Sequence, residues 1–289
     1  MSLYNPSSFD RSVKARRLAI NYSPPTPRHF VEGDILQSQI MAILSGTFPR
    51  GEQFFVDSVR SFRDQIDDEE LRRQVAGFIG QESMHGREHD RFNQVLCELG
   101  YPTRFVDSAT GFAMGLIERI APKSVQLALT AAAEHFTSVL AEQLLHDDSF
   151  GSQDIPDQVK DLFRWHALEE CEHKAVAYDV YRDCVDSEAI RIATMQALTA
   201  LLAMVAFVAL ATTPLTDRSA RNPVRFVKSL VNLRNSPFAR KRIALRLLAY
   251  YRPGFHPDDR DTEGLVSAWR DTLFGDEGQL VTLLAAGGR

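Results

Sequence analysis

The chain has 289 residues, 44% hydrophobic and 25% charged, which is enough apolar sequence for a substantial buried core. A net charge of −5 and a pI near 5.9 speak against a dedicated nucleic-acid binder. Three scattered cysteines (Cys97, Cys171 and Cys184) form no disulfide framework, and no secretory signal precedes Pro24-Pro25, so a reduced, cytoplasmic setting is expected.

Residues 1–30 are polar and broken by prolines, and read as an extended arm. A helical pattern begins at Ile35, Ile40, Ile43 and Leu44; Phe48-Pro49-Arg50-Gly51 reads as a break, and Glu52 opens the next run. Asp67-Asp68-Glu69-Glu70 places acids where a helix starts. That helix carries Leu71, Val75, Phe78, Glu82, His85 and His89, and ends at Leu99-Gly100-Tyr101-Pro102. A longer connection follows, with a short helix expected over 112–120. The third long helix begins at Ala121-Pro122 and passes Glu134; the fourth runs from Val159 to about Cys184 and holds His166, Glu170 and His173. With no strand alternation and no Gly-rich phosphate loop, the fold class is all-α. The expected architecture is a ferritin-like four-helix bundle over 31–186 with additional C-terminal helices over 187–289.

Residues 192–216 carry no charge and are long enough to span a bilayer, and residues 218–252 are rich in Arg and Lys without a single Asp or Glu. The preferred reading is a helix buried on the bundle or across a homodimer, since spanning length permits a membrane without requiring one. The alternative is a helix at a membrane, with the basic block on anionic cytoplasmic headgroups.

Two Glu-x-x-His motifs hold most of the functional information: Glu82 with His85, and Glu170 with His173. Glu52 lies thirty residues before the first and Glu134 thirty-six before the second. One such motif would ordinarily be a solvated helix face. Two, each among apolar residues and each preceded by a spaced glutamate, form the ligand pattern of dimetal-carboxylate bundles. Residues three apart share a helix face, so each pair can hold one ion, with the lone glutamates read as bridges. Glu134 follows Ala131-Ala132-Ala133, where an unpaired carboxylate would be costly to bury. Four carboxylates roughly balance two divalent first-row ions, and the oxygen and imidazole donors suit iron first and manganese second. His89 and His166, four residues from His85 and Glu170, share the ligand faces as further ligands or as hydrogen-bonding residues behind them. His135 points elsewhere. Gln81 and Glu169 are placed to hydrogen-bond the imidazoles from outside.

Five blocks carry a family resemblance: Phe48-Pro49-Arg50-Gly51-Glu52-Gln53-Phe54-Phe55; Phe78 through His89; Ala133-Glu134-His135-Phe136-Thr137; Trp165 through Lys174; and Phe255-His256-Pro257. Together they resemble the bacterial family described as predicted metal-dependent hydrolase, of ferritin-like character. The resemblance covers most of the chain beyond residue 30 and implies metal binding. Three functions follow as expectations. An oxygen-activating di-iron oxidase or oxygenase on an apolar, acyl-chain-like substrate is placed first, on the ligand pattern. A dinuclear hydrolase using a metal-activated hydroxide is the alternative that the family description and the extra histidines favour. Metal storage or a metal-dependent scaffold comes third.

Overall fold

The computed structural model describes residues 13–22, 27–236 and 240–285, and among these the chain is helical with no strand ladder, as the all-α reading expects. Asp34 starts α1 (Ile35–Arg60), accepting hydrogen bonds from the backbone N–H groups of Leu36 and Gln37 at 3.1 Å. This helix runs through Phe48-Pro49-Arg50-Gly51 without the break expected there. Pro49 has no N–H, which leaves the Ser45 carbonyl without its helical donor. The side-chain amide of Asn93 supplies one, with Nδ2 at 2.9 Å from Ser45 O. A neighbouring helix thus fills the gap that the proline opens.

Asp68 caps α2 (Glu69–Glu98), with Glu69 and Glu70 in its first turn, as the sequence signals. The connection forms an 18-residue helix, α3 (Thr103–Ile120), longer than expected, which lies along α1. Next come α4 (Lys123–His146) and, after a short helical turn at Asp148–Ser152, α5 (Asp157–His173). The fourth helix does not continue to Cys184 as one rod. It stops after His173 and restarts as α6 (Val176–Cys184). No Gly or Pro marks the stop. Lys174, buried at the turn, donates to the Arg260 carbonyl at 2.7 Å and pairs with Asp258 at 3.5 Å, so a tertiary contact holds it.

Helix α1 packs on α2, α4 on α5 and α6, α1 on α4, and α2 on α5, which brings four long helices around one interior. That interior holds two apolar clusters, one at each end. One gathers Met41, Phe92, Leu96, Leu144, Leu162, Trp165 and Leu168, and the other Val59, Val75, Phe78, Leu127, Ala131, Val176 and Tyr181. On α1, α2 and α4 the candidate ligands fall between the two clusters, and on α5 His166 and Glu170 sit among residues of the first cluster with His173 just past it, so the polar layer is enclosed by close-packed hydrocarbon.

The arm is extended over residues 13–22 and is pinned rather than loose; residues 1–12 and 23–26 lie outside the described residues. Ala19 N–H donates to Leu283 O and Ala285 N–H to Arg17 O, both at 2.9 Å, and Leu18 and Ile20 are buried. It crosses α2 where glycines leave room. A Cβ on Gly80 would sit 2.8 Å from Ala15 Cβ, and one on Gly77 would run into the Val13 backbone.

The apolar stretch forms α7 (Glu188–Thr216), which packs along α4. Within the chain it is not the buried helix that was preferred. It is long and apolar enough to cross a membrane, yet only Arg191, Thr194, Met195 and Thr213 are buried, because one narrow stripe meets the body. A turn at Arg218–Arg221 leads to α8 (Pro223–Asn232) on α1, then α9 (Lys241–Ala249) on α4 and α10 (Glu263–Phe274).

Candidate metal centre

The polar layer brings seven of the eight candidate residues together and sets the eighth behind them. Glu52, His85 and His166 form one group and Glu82, Glu170 and His173 another, each with ligand atoms within 4.8 Å of one another, and all six are buried. Glu134 joins the second group, its Oε2 3.2 Å from His173 Nε2. The two groups touch through the motif glutamates. Glu82 Oε1 lies 3.6 Å from His85 Nδ1 and 3.1 Å from His173 Nε2. Glu170 Oε1 lies 3.0 Å from His166 Nε2, 3.5 Å from His173 Nε2 and 3.8 Å from His85 Nδ1. Glu82 and Glu170 therefore each approach imidazoles of both groups, whereas Glu52 lies with the first group and Glu134 with the second. A motif glutamate reaches across to the other group because its helix faces both.

Each imidazole is held from outside in a way that fixes its inner nitrogen. Gln81 Nε2 donates to Lys14 O at 3.1 Å and Glu172 Oε2 at 2.8 Å, which turns its Oε1 toward His173 Nδ1, 2.8 Å away. Nδ1 carries the proton and Nε2 faces the cluster. His85 Nε2 donates to Glu169 Oε2 at 3.0 Å, leaving Nδ1 facing inward. The third ring is set by a longer relay. Asn93, oriented by its bond to Ser45 O, accepts the Ser45 hydroxyl proton on Oδ1 at 2.7 Å. Ser45 Oγ can then only accept from His89 Nδ1, 2.9 Å away, so His89 Nε2 accepts from His166 Nδ1 at 2.7 Å. His166 Nε2 is left with a lone pair on the cluster. His89 thus supports His166 from behind and does not reach the centre itself.

Gln81 and Glu169 are placed as the sequence suggested. Arg16 and Glu172 were missed, because Arg16 sits on the arm and Glu172 is the middle residue of its motif. Arg16 Nη1 bonds both Glu169 Oε1 and Glu172 Oε2 at 2.8 Å, and Arg270 bonds Glu172 Oε1 at 2.8 Å. Two guanidiniums neutralise the two outer carboxylates, so the four inner ones are not relieved from that side. His135 bonds the Arg246 carbonyl at 3.1 Å, away from the cluster, as expected. Gly86 allows the tight approach of α1: a Cβ there would lie 3.2 Å from Glu52 Oε2.

The electrostatics call for positive charge at the centre. Burial pushes Glu52 well above the usual carboxylate range and Glu134 up to about 8, with the neighbouring glutamates adding to the effect. Burial works against charging His85, yet Glu169 and Glu82 push it up to about 10. His173 is likewise raised, by Glu170 and Glu134 against burial. Glu82 and Glu170 are held low by the histidines despite their burial. Nine buried atoms here have no hydrogen-bond partner: both oxygens of Glu52, Glu82 and Glu134, Glu170 Oε2, His85 Nδ1 and His173 Nε2. Each such atom ordinarily costs about 1–3 kcal/mol. Their convergence is the donor set of a cation cradle, in which a bound metal would take the place of the protons that Glu134, His85 and His173 otherwise hold.

An all-helical protein with two adjoining groups of buried carboxylates and inward-facing imidazoles is a metal-protein candidate on geometry alone. Residues 14–261 match the family described as predicted metal-dependent hydrolase, and the chain belongs to that family. Comparison with curated proteins and with solved structures yielded no match.

Proposed function

We propose that this protein is a dinuclear metal-dependent hydrolase built on a ferritin-like bundle. In this reading one ion is held by Glu52, His85 and His166 and the other by Glu134 and His173, with Glu82 and Glu170 shared between them. The observation that carries it is the set of nine partnerless donor atoms converging between the two apolar clusters. Iron or manganese fits the mixed oxygen and imidazole donors. A pair of such ions supplies Lewis acidity toward a carbonyl or phosphoryl oxygen and lowers the pKa of water.

The chain's own residues do the rest. Four inner carboxylates balance two divalent charges. Gln81, Glu169 and His89 fix the three imidazoles with their lone pairs inward, and Arg16 and Arg270 hold the outer carboxylates in place. Phe48, half buried, lays its ring against His166 and His89 at 4.6 and 4.7 Å between centroids, so the flank beside the first group is apolar. That supports a small substrate with an apolar portion. The family match favours hydrolysis over the oxygen chemistry that the ligand pattern placed first, and His166 in the first group adds an imidazole to the minimal pattern. The test is turnover of activated acyl and phosphate esters by metal-loaded protein under argon and in air. A hydrolase gives equal rates in both gases, in proportion to metal content. Oxygen consumption by the ferrous form without ester cleavage would restore the oxidase reading.

A further inference from the structure

We infer that α7, α8 and α9 form a docking surface for an anionic lipid bilayer, with α7 lying in the plane of the interface and not crossing it. This surface stands apart from the metal centre and does not rest on the hydrolase reading. Along α7, Leu201, Leu202, Met204, Val205, Phe207 and Val208 are all exposed, Phe207 by 70%. The same holds for Val224, Val227 and Val231 on α8 and for Leu245 and Leu248 on α9. A soluble monomer rarely leaves an apolar run like Leu201–Val208 uncovered along one helix.

Charge identifies the occupant. Arg218, Arg221, Arg225, Lys228, Lys241 and Arg242 are exposed and make no ion pair among the described residues, and no acid occurs between Arg218 and Pro257. Apolar side chains interleaved with unpaired cations suit an anionic headgroup layer, where each cation contributes about 1 kcal/mol. A second copy meeting this face by two-fold symmetry about α8 would set cation against cation.

The anchoring of α7 decides its orientation. At its start, Arg191 is buried and donates to the carbonyls of Tyr250 and Arg252, while Met195 sits in an apolar cluster. Just beyond its end, Asp217 is held by His29 at 2.8 Å and Arg28 at 3.1 Å. Both ends therefore belong to the same folded body, about 43 Å apart at 1.5 Å per residue. Crossing a bilayer would require tearing one end free.

Flotation of the full-length, metal-loaded protein with phosphatidylcholine vesicles, with and without phosphatidylglycerol, tests this. Binding is expected to the anionic vesicles only and to weaken as salt is raised. The triple variant Arg221→Gln, Arg225→Gln, Lys228→Gln should lower the partition coefficient about a hundredfold. Phe207→Asp, on an exposed position, should reduce binding with metal content and melting temperature unchanged. Three results would overturn the proposal: no binding to anionic vesicles at low salt; retention that resists alkaline extraction, which means a crossing helix; or a concentration-dependent dimer that Phe207→Asp dissolves while vesicles are ignored.

Discussion

Replacing His89 by Leu removes the acceptor for His166 Nδ1 while keeping the site filled. In the wild-type chain the order Asn93, Ser45, His89, His166 fixes each proton, and the 2.7 Å contact between the two rings is its last link. Without it, the buried His166 N–H has no acceptor, at a cost of about 1–3 kcal/mol. The ring escapes that cost by moving its proton to Nε2, which already lies 3.0 Å from Glu170 Oε1. The lone pair meant for a metal is then spent on a carboxylate. Loss of an outer partner of this kind typically weakens metal affinity 10–100-fold, or about 1.4–2.8 kcal/mol. Competition with a chelator should show one of two ions weakened and the other, on the His173 side, little changed. His89→Gln, whose side-chain oxygen can replace Nε2 as acceptor, should recover most of the affinity. If His89→Leu binds both ions like the wild type, or if Gln rescues nothing, the relay is wrong.

The outer carboxylates give a second test: Arg16→Ala should lower metal affinity at both groups, because Glu169 holds His85 and Glu172 holds Gln81. Gly80→Val, which displaces the arm from α2, should reproduce that loss in a chelator titration without touching a ligand. Third, Glu170→Ala should reduce metal content at both positions, whereas Glu134→Ala should reduce it at one, as measured by metal analysis after dialysis. Fourth, Glu134 with its pKa raised to about 8 and His85 with its pKa raised to about 10 bind protons more tightly when folded. Their contribution to the stability of chelator-treated protein is full at acid pH and is lost as pH rises through those values. Burial holds His89, His135 and His166 below the usual histidine range, and they act the other way up to about pH 6.5; melting temperatures without metal should therefore fall from about pH 7 toward pH 10. The gain on adding metal should grow over the same range, since metal replaces those protons.

The candidate ligands were legible because helix periodicity is local: three-residue spacing puts Glu82 with His85 and Glu170 with His173 whatever the tertiary structure. What was not legible depended on neighbours. Pro49 looked like a helix end because the sequence could not show Asn93 donating to the Ser45 carbonyl. The stop after His173 carries no Gly or Pro and is held by Lys174 reaching residues near 260. Which glutamates approach both groups follows from how four helices are rotated about their axes, and spacing along one chain does not report that. His89 and His166 had equal claims on a helix face; the Ser45 and Asn93 contacts separate them. Arg16 lay in a polar, proline-broken segment with no periodicity, and nothing local marked its 2.8 Å contacts with Glu169 and Glu172.

The central claim is that the polar layer holds two ions sharing Glu82 and Glu170. Anomalous diffraction at the metal edge, on crystals of protein purified without chelator, tests it most directly. The account predicts two peaks per chain, one within coordination distance of Glu52, His85 and His166 and the other of Glu134 and His173, with both motif glutamates between them and His89 bonded only to His166 and Ser45. A single peak, or a metal bound by His89 with His166 turned away, would contradict it.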